Sequence, residues 1–148
     1  MITYQGEIVI NRPVAEVFGY VTTFENFPLW SDTNAVTRLS NGKVGLETRL
    51  RLDMGKGPMR SEIEFETIGW EPERNWTFKT VSATPIVWDG MFGFEAQGPM
   101  STKVRAAGQV SLKGWRKLLE PMVRSELRKT EQAELEKLKG LLENSVVS

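Results

Sequence analysis

Two different hydrophobic periods divide this chain, and any fold must bury both. From Gly114 to Asn144 apolar residues recur mostly at three- and four-residue steps: Trp115, Leu118, Leu119, Met122, Leu127, Leu135, Leu138, Leu141 and Leu142. That spacing predicts one long amphipathic helix. From Gly45 to Val110 the period is two, which predicts strands with one buried face. A single curved antiparallel sheet wrapped around the helix buries each pattern against the other. The expected class is α+β, with a cavity left between sheet and helix.

Reading along the chain fills in the elements. Tyr4, Gly6, Ile8 and Ile10 share one face of a first strand. Asn11 is a candidate cap and Pro13 suits a first helical turn, so Val14, Val17, Phe18 and Val21 predict a helix over 13–22. The aromatic run from Phe24 to Trp30 predicts a turn of helix over the core, and Ala35 to Leu39 a second strand. Leu46 to Met54 is the clearest strand, with Leu46, Leu50, Leu52 and Met54 inward. Its partner runs from Met59 to Ile68, with Met59, Ile63 and Phe65 inward.

Charges select a register for this hairpin. Setting Asp53 opposite Arg60, Arg51 opposite Glu62 and Arg49 opposite Glu64 gives opposite-charge pairs worth roughly 0.2–1 kcal/mol each. The same register puts Leu50 opposite Ile63. Further strands carry Trp76, Phe78 and Thr80, then Trp88, Phe92 and Phe94, then Val104, Ala106, Gly108 and Val110. Turns are expected at 55–58, 70–74, 82–85 and 97–99, giving about seven strands. Pro121, one or two turns into the long helix, predicts a kink or a restart.

Composition removes several functions. Nineteen basic residues balance nineteen acidic ones over 148 residues, which argues against a general nucleic-acid or anionic-membrane binder. No stretch approaches the ~20 apolar residues of a membrane span. Met1 to Glu7 has no basic leader, so a cytoplasmic protein is expected, one domain over 1–148, monomer or homodimer. The absence of cysteine and histidine removes thiolate nucleophiles, Cys-ligated metals and the usual base near neutral pH. No metal and no cofactor are expected.

The concave face then becomes the candidate site. Trp30, Leu50, Leu52, Ile63, Phe65, Trp76, Phe78, Trp88 and Phe92, with Leu118 and Met122 from the helix, form an expected wall for a hydrophobic ligand. The plainer reading is that each of these residues fills the core. Five tryptophans favour a shared role for the set. Polar groups expected on this face are Tyr4, Thr48, Ser61, Thr67, Thr80 and Thr102, and Asp32, Asn34, Arg38 and Asp89 are placed near its mouth. No catalytic residue is assigned. Glu62, Glu64 and Glu66 fall on the outer face of their strand. Glu126, Glu131, Glu134 and Glu136, interleaved with lysines and arginines, read as a solvated face of the helix.

The order strand, short helix, aromatic half-turn, six strands, long helix resembles the SRPBCC (START/Bet v 1-like) superfamily. The segments that carry the resemblance are Ile8 to Phe18, Phe24 to Trp30, Trp70-Glu71-Pro72-Glu73-Arg74, Leu119-Glu120-Pro121 and Leu135 to Lys139. Within the superfamily the chain most resembles the polyketide cyclase/dehydrase-like group. The resemblance implies a helix-grip fold around a mostly apolar cavity. It implies binding or transport of a hydrophobic small molecule. The alternatives are a polyketide cyclase/dehydrase-like enzyme and a protein-interaction module with a vestigial cavity.

Overall fold

The computed structural model describes residues 1–57, 60–81 and 86–144. Seven strands form one antiparallel sheet: β1 (Ile2–Ile10), β2 (Thr33–Arg38), β3 (Arg49–Met54), β4 (Ser61–Glu71), β5 (Asn75–Thr80), β6 (Ile86–Gly98) and β7 (Ser101–Leu112). Their spatial order is β1-β7-β6-β5-β4-β3-β2. The connection from β1 to β2 therefore runs from one edge of the sheet to the other. It is made by α1 (Val14–Val21), a 3-10 turn (Phe24–Asn26) and α2 (Phe27–Trp30). The final helix α3 (Glu120–Asn144) follows a 3-10 turn over Gly114–Leu119. This is a helix-grip arrangement.

Alternation within each strand decides what faces α3. Ile2, Tyr4 and Ile10 of β1, Leu50 and Leu52 of β3, Ile63 and Phe65 of β4, and Trp76 and Phe78 of β5 are all buried. The residues between them are exposed or half-buried. Register shifts at Thr33/Ala35, Thr67/Gly69 and Ala96/Gly98 interrupt the ladder. Such bulges bend and twist a strand, and the bending opens the face that receives the helices. Val17, Phe18 and Val21 bury one stripe of α1. That helix has no side-chain cap. Asn11 instead gives its backbone N–H to the Glu143 carboxylate (2.8 Å), near the far end of α3.

α3 runs alongside β1 and is tied down at both ends. The N-terminal amine meets Glu120 at 2.9 Å, and Arg12 donates to the carbonyls of Leu142 and Glu143. In between, Leu135, Leu138 and Leu142 are buried. A Cβ on Gly6 would stand 3.2 Å from the Leu135 Cδ1 atom, so the small residue lets the helix approach the strand. Pro121 is the second residue of α3, a position where its missing N–H costs nothing. The helix restarts there, as the sequence suggested.

Three expectations need correction. The β3–β4 register is shifted by two residues: Leu50 faces Phe65, Leu52 faces Ile63, Arg51 faces Glu64 and Arg49 faces Glu66. A two-residue shift keeps every side chain on its own face. It lengthens the connection, in which Gly55 and Gly57 both take positive φ. Two of the expected charge pairs, Asp53–Arg60 and Arg51–Glu62, survive across the new register, and Arg51 rather than Arg49 pairs with Glu64. Arg60 donates to both Asp53 carboxylate oxygens at 3.0 and 2.7 Å, and Arg51 reaches Glu64 at 3.0 Å and Glu62 at 3.8 Å. Side chains long enough to pair diagonally therefore did not discriminate between the two registers.

Leu46 is 61 % exposed, and β3 begins only at Arg49. Glu47 has a φ of 68° and breaks the strand. Thr48 then folds its hydroxyl back to accept the Gly45 N–H at 2.9 Å. Leu118 is 84 % exposed and Met122 54 % exposed. In a 3-10 helix residues three apart eclipse, so Trp115 and Leu118 point the same way, and that way is solvent. Met59, expected to face inward, and the expected turn at 82–85 lie outside the described residues.

Candidate functional site

Aromatic rings converge where β3–β6 face α2 and α3. Trp76 and Phe92, opposite each other on β5 and β6, stack with planes 6° apart and centroids at 5.7 Å. Trp30 meets Phe92 edge-on at 5.8 Å, and Phe27 meets Trp76 at 5.7 Å. Phe65 packs edge-on against both Phe78 (5.4 Å) and Trp88 (5.6 Å). Edge-on and offset contacts suit the quadrupole of each ring. They also leave gaps that aliphatic packing would close.

Two glycines create room at the β1 side of this cluster. Tyr4, Gly108, Gly90 and Phe78 form one row across β1, β7, β6 and β5. A Cβ on Gly108 would lie 2.6 Å from the Tyr4 hydroxyl oxygen, and a Cβ on Gly90 would lie 2.5 Å from Phe78 Cζ. The rings of Tyr4 and Phe78 thus occupy the space that side chains at 90 and 108 would take. Tyr4 accepts a hydrogen bond from the Trp88 indole N–H at 2.9 Å, which fixes both rings.

The result is an inner chamber of about 60 Å³ lined by Tyr4, Phe27, Trp30, Ser31, Thr33, Leu50, Leu52, Met54, Phe65, Trp76, Phe78, Trp88, Phe92, Glu131 and Glu134. An outer cleft of about 560 Å³ is lined by Asp32, Met54, Gly55, Lys56, Ile63, Ile86, Trp88, Met122, Val123, Glu126, Leu127, Thr130, Glu131 and Glu134. The two share Met54, Trp88, Glu131 and Glu134, which line the boundary, or neck, where they adjoin. The outer volume is in the range of small-molecule sites, and the inner one is not.

Of the residues expected to line a site, Trp30, Leu50, Leu52, Phe65, Trp76, Phe78, Trp88 and Phe92 surround the inner chamber. Ile63 and Met122 belong to the outer cleft, and Leu118 lines neither. Among the polar candidates, Tyr4 reaches the chamber and Asp32 the cleft, while Ser61 lines neither. Thr67 accepts the Trp76 indole N–H at 2.9 Å, Thr102 donates to the Arg12 carbonyl at 2.8 Å, and Thr80 accepts the Trp88 backbone N–H at 3.1 Å. Those hydroxyls are structural. Asp89 is exposed.

Glu126 and Glu136 lie on the solvated face of α3 as expected, and Glu131 and Glu134 depart from it. Glu131 and Glu134 are half-buried and line both cavities. Burial pushes the Glu131 carboxyl up to about 7. Burial and then the adjacent Glu131 charge push Glu134 up to about 8, against the opposing effect of a hydrogen bond from the Asp32 backbone N–H (3.3 Å). Tyr4 is also raised, first by burial and then by Glu131. The sequence held a signal for this pair. Leu127, Glu131, Glu134, Leu138 and Leu142 fall on one helical stripe, so the two glutamates interrupt the buried face. Among the described residues no group of three or more potential metal ligands is assembled, and no helix is long and apolar enough to cross a membrane.

A curved sheet gripping a C-terminal helix over an aromatic chamber defines an SRPBCC-type ligand-binding fold. Residues 1–143 match the family model described as polyketide cyclase / dehydrase and lipid transport, and the chain belongs to that family. Similar solved structures include the Zhui aromatase/cyclase from Streptomyces sp. R1128, at 14 % identity and TM-score 0.79, covering 99 % of this chain and 96 % of that one. A START superfamily protein from Mycobacterium smegmatis is 16 % identical with TM-score 0.69 (92 % and 98 % covered). Norcoclaurine synthase from Thalictrum flavum is 13 % identical with TM-score 0.70 (99 % and 88 % covered). At these identities the likeness is one of fold. No curated protein matches the chain.

Proposed function

We propose that this protein binds a hydrophobic small molecule, with its body in the outer cleft and one end in the aromatic inner chamber. The observation that carries this reading is that the two cavities adjoin, sharing Met54, Trp88, Glu131 and Glu134 as lining residues. The cleft offers Ile63, Ile86, Met122, Val123 and Leu127 as apolar surface, and methionines adapt to varied ligand shapes. The family description, which spans cyclases and lipid transport, supports such a ligand without selecting one.

Tryptophan fluorescence tests the reading, because Trp88 stands at the neck and Trp115 stands in solvent. Titration with sterols, flavonoids, quinones and fatty acids is expected to shift or quench emission for at least one class. The change should shrink in Trp88→Phe and persist in Trp115→Phe. No response to any class, together with no thermal shift, would remove the reading.

A second reading has its own observation. Two carboxyls held near neutrality beside the Tyr4 phenol could exchange protons with a bound substrate, as a cyclase/dehydrase-like reaction requires. The absence of histidine therefore does not leave the cavity without a titratable group near pH 7. Turnover of a β-polyketone-type substrate that is abolished in Glu131→Gln or Glu134→Gln would establish this reading over simple binding.

A further inference from the structure

Hydrogen-bond supply in the inner chamber is one-sided. Trp30 is 2 % exposed, and its indole N–H has no acceptor among the described residues. Trp30 lines the chamber and not the outer cleft, and its ring neighbours there, Phe27 and Phe92, are apolar. The Tyr4 hydroxyl is a second donor. Its oxygen accepts the Trp88 indole N–H, and its own hydrogen meets no acceptor among the described residues. The other chamber hydroxyls are engaged: Ser31 Oγ lies 2.9 Å from the Phe27 carbonyl oxygen and 2.8 Å from the Thr33 hydroxyl. Buried donors are rarely left unpaired. The chain's described groups supply no partner for Trp30, so the partner belongs to what fills the chamber.

We propose that the ligand ends in an uncharged carbonyl group, whose oxygen enters the inner chamber and accepts the Trp30 indole N–H. This deepens the binding reading above and rests on it. A carbonyl oxygen carries two lone pairs, enough in number for the Trp30 and Tyr4 donors together. An ammonium group brings donors and no acceptor, so it would leave Trp30 unpaired. A hydroxyl accepts, but it adds a donor to a chamber that already has two unused. Charge disfavours an anion. The outer cleft is lined by Asp32, Glu126, Glu131 and Glu134 against Lys56, so a carboxylate would meet like charge there and then lose its hydration among aromatic rings. Size sets which end goes in. The chamber holds about 60 Å³, and one water-sized group takes roughly 10–15 Å³ of such space. An acetyl-sized terminus fits and a ring does not. The apolar body of the ligand stays in the outer cleft of about 560 Å³.

Three probes of one skeleton separate the acceptor from shape and charge: 4-phenylbutan-2-one, 2-methyl-4-phenylbut-1-ene and 3-phenylpropanoate. The terminal ketone of the first becomes a methylidene group in the second and a carboxylate in the third. Each is titrated calorimetrically into the intact chain, and the five tryptophan indole N–H signals are followed by NMR. The Trp30 signal is identified through its ring contacts with Phe27 and Phe92. The ketone is expected to bind about tenfold more tightly than the alkene, as one net hydrogen bond gives, and the carboxylate more weakly than the ketone. The ketone should move the Trp30 indole proton downfield, and the alkene should not. Trp30→Phe should bring the ketone down to the alkene's affinity while the alkene still binds, which also shows that the variant is folded. Should that variant not fold, the NMR shift in the parent chain decides. Equal affinity of ketone and alkene in the parent chain would overturn the carbonyl assignment and leave hydrophobic binding standing. A ketone preference with an unmoved Trp30 signal, as a retained water on that N–H would give, would overturn the role of Trp30. Tightest binding by the carboxylate would overturn the uncharged acceptor. Failure of all three probes to bind would count against both the carbonyl and the binding reading.

Discussion

Gly90 and Gly108 matter through the space they leave. Neither has a positive φ among the residues that do; the constraint is the approach of Tyr4 and Phe78. A methyl group at 108 would meet the Asp89 carbonyl oxygen at 2.6 Å as well as the Tyr4 hydroxyl. Backbone cannot swing aside as a flexible side chain can, so the phenol and the strands must both move. Gly108→Ala is expected to cost about 1–3 kcal/mol, the usual range for overpacking, measured by denaturant unfolding. It should also break the Tyr4–Trp88 hydrogen bond and so shift tryptophan emission. An unchanged stability and spectrum would show that the row across β1, β7, β6 and β5 is looser than its geometry. The same reasoning explains why one alternating strand carries two small residues on its inner face, Gly108 beside Ala106: the neighbouring strands fill the gap with rings.

At the scale of elements, α3 divides its labour along its length. Its C-terminal half holds the fold together, since Leu135 and Leu138 are fully buried against the sheet. Its middle carries Glu131 and Glu134 to the cavities. The 3-10 turn before it exposes Trp115 and Leu118. Leu135→Ala and Leu138→Ala are each expected to cost about 2–5 kcal/mol in unfolding free energy. Leu118→Ala should cost less than about 0.5 kcal/mol. Equal effects at 118 and 138 would mean that the helix docks differently. The β3–β4 hairpin shows a different limit of element-level reasoning. Its alternation settles which residues face inward, because a one-residue slip would invert every side chain. A two-residue slip inverts none, and long charged side chains pair across either register.

For the whole molecule, the carboxyl pair links stability to pH. The Glu131 and Glu134 carboxyls bind protons more tightly in the folded chain, near 7 and 8, than at the ordinary value of 4.5. Between about pH 4.5 and 8 the folded state therefore holds more protons than the unfolded state. Stability falls as pH rises through that window. The carboxylates with lowered values, Asp53, Glu120 and Glu143, act in the opposite sense but only at more acid pH. Thermal melts from about pH 5 to pH 9 should show a falling Tm, with a loss on the order of 2 kcal/mol after allowing for solvent at the half-buried helix face. Glu131→Gln/Glu134→Gln should flatten the profile and stabilise the chain at the alkaline end. A parent profile that is already flat would show that these carboxyls are fully hydrated.

What the sequence determined by itself was periodicity and its consequences. Period two across β3–β7 and a three-to-four step in the last quarter demand a sheet and a helix that bury their faces on each other, so the architecture and most of the aromatic wall were legible. The burial of Leu50, Phe65, Trp76 and Phe78 follows from the same alternation. Tertiary structure decided what periodicity leaves degenerate. A strand pattern is unchanged by a two-residue shift, so only the loop around Gly55 and Gly57 settled where Leu50 lies. Leu118 and Met122 have helical spacing, but the 3-10 turn rotates that end of the segment away from the sheet. Glu131 and Glu134 have the charge of a surface and the phase of a core. Charge is written in the residue, whereas the solvent around it is set by the neighbours that curvature brings near, and here curvature placed both carboxyls at the neck of an aromatic cavity.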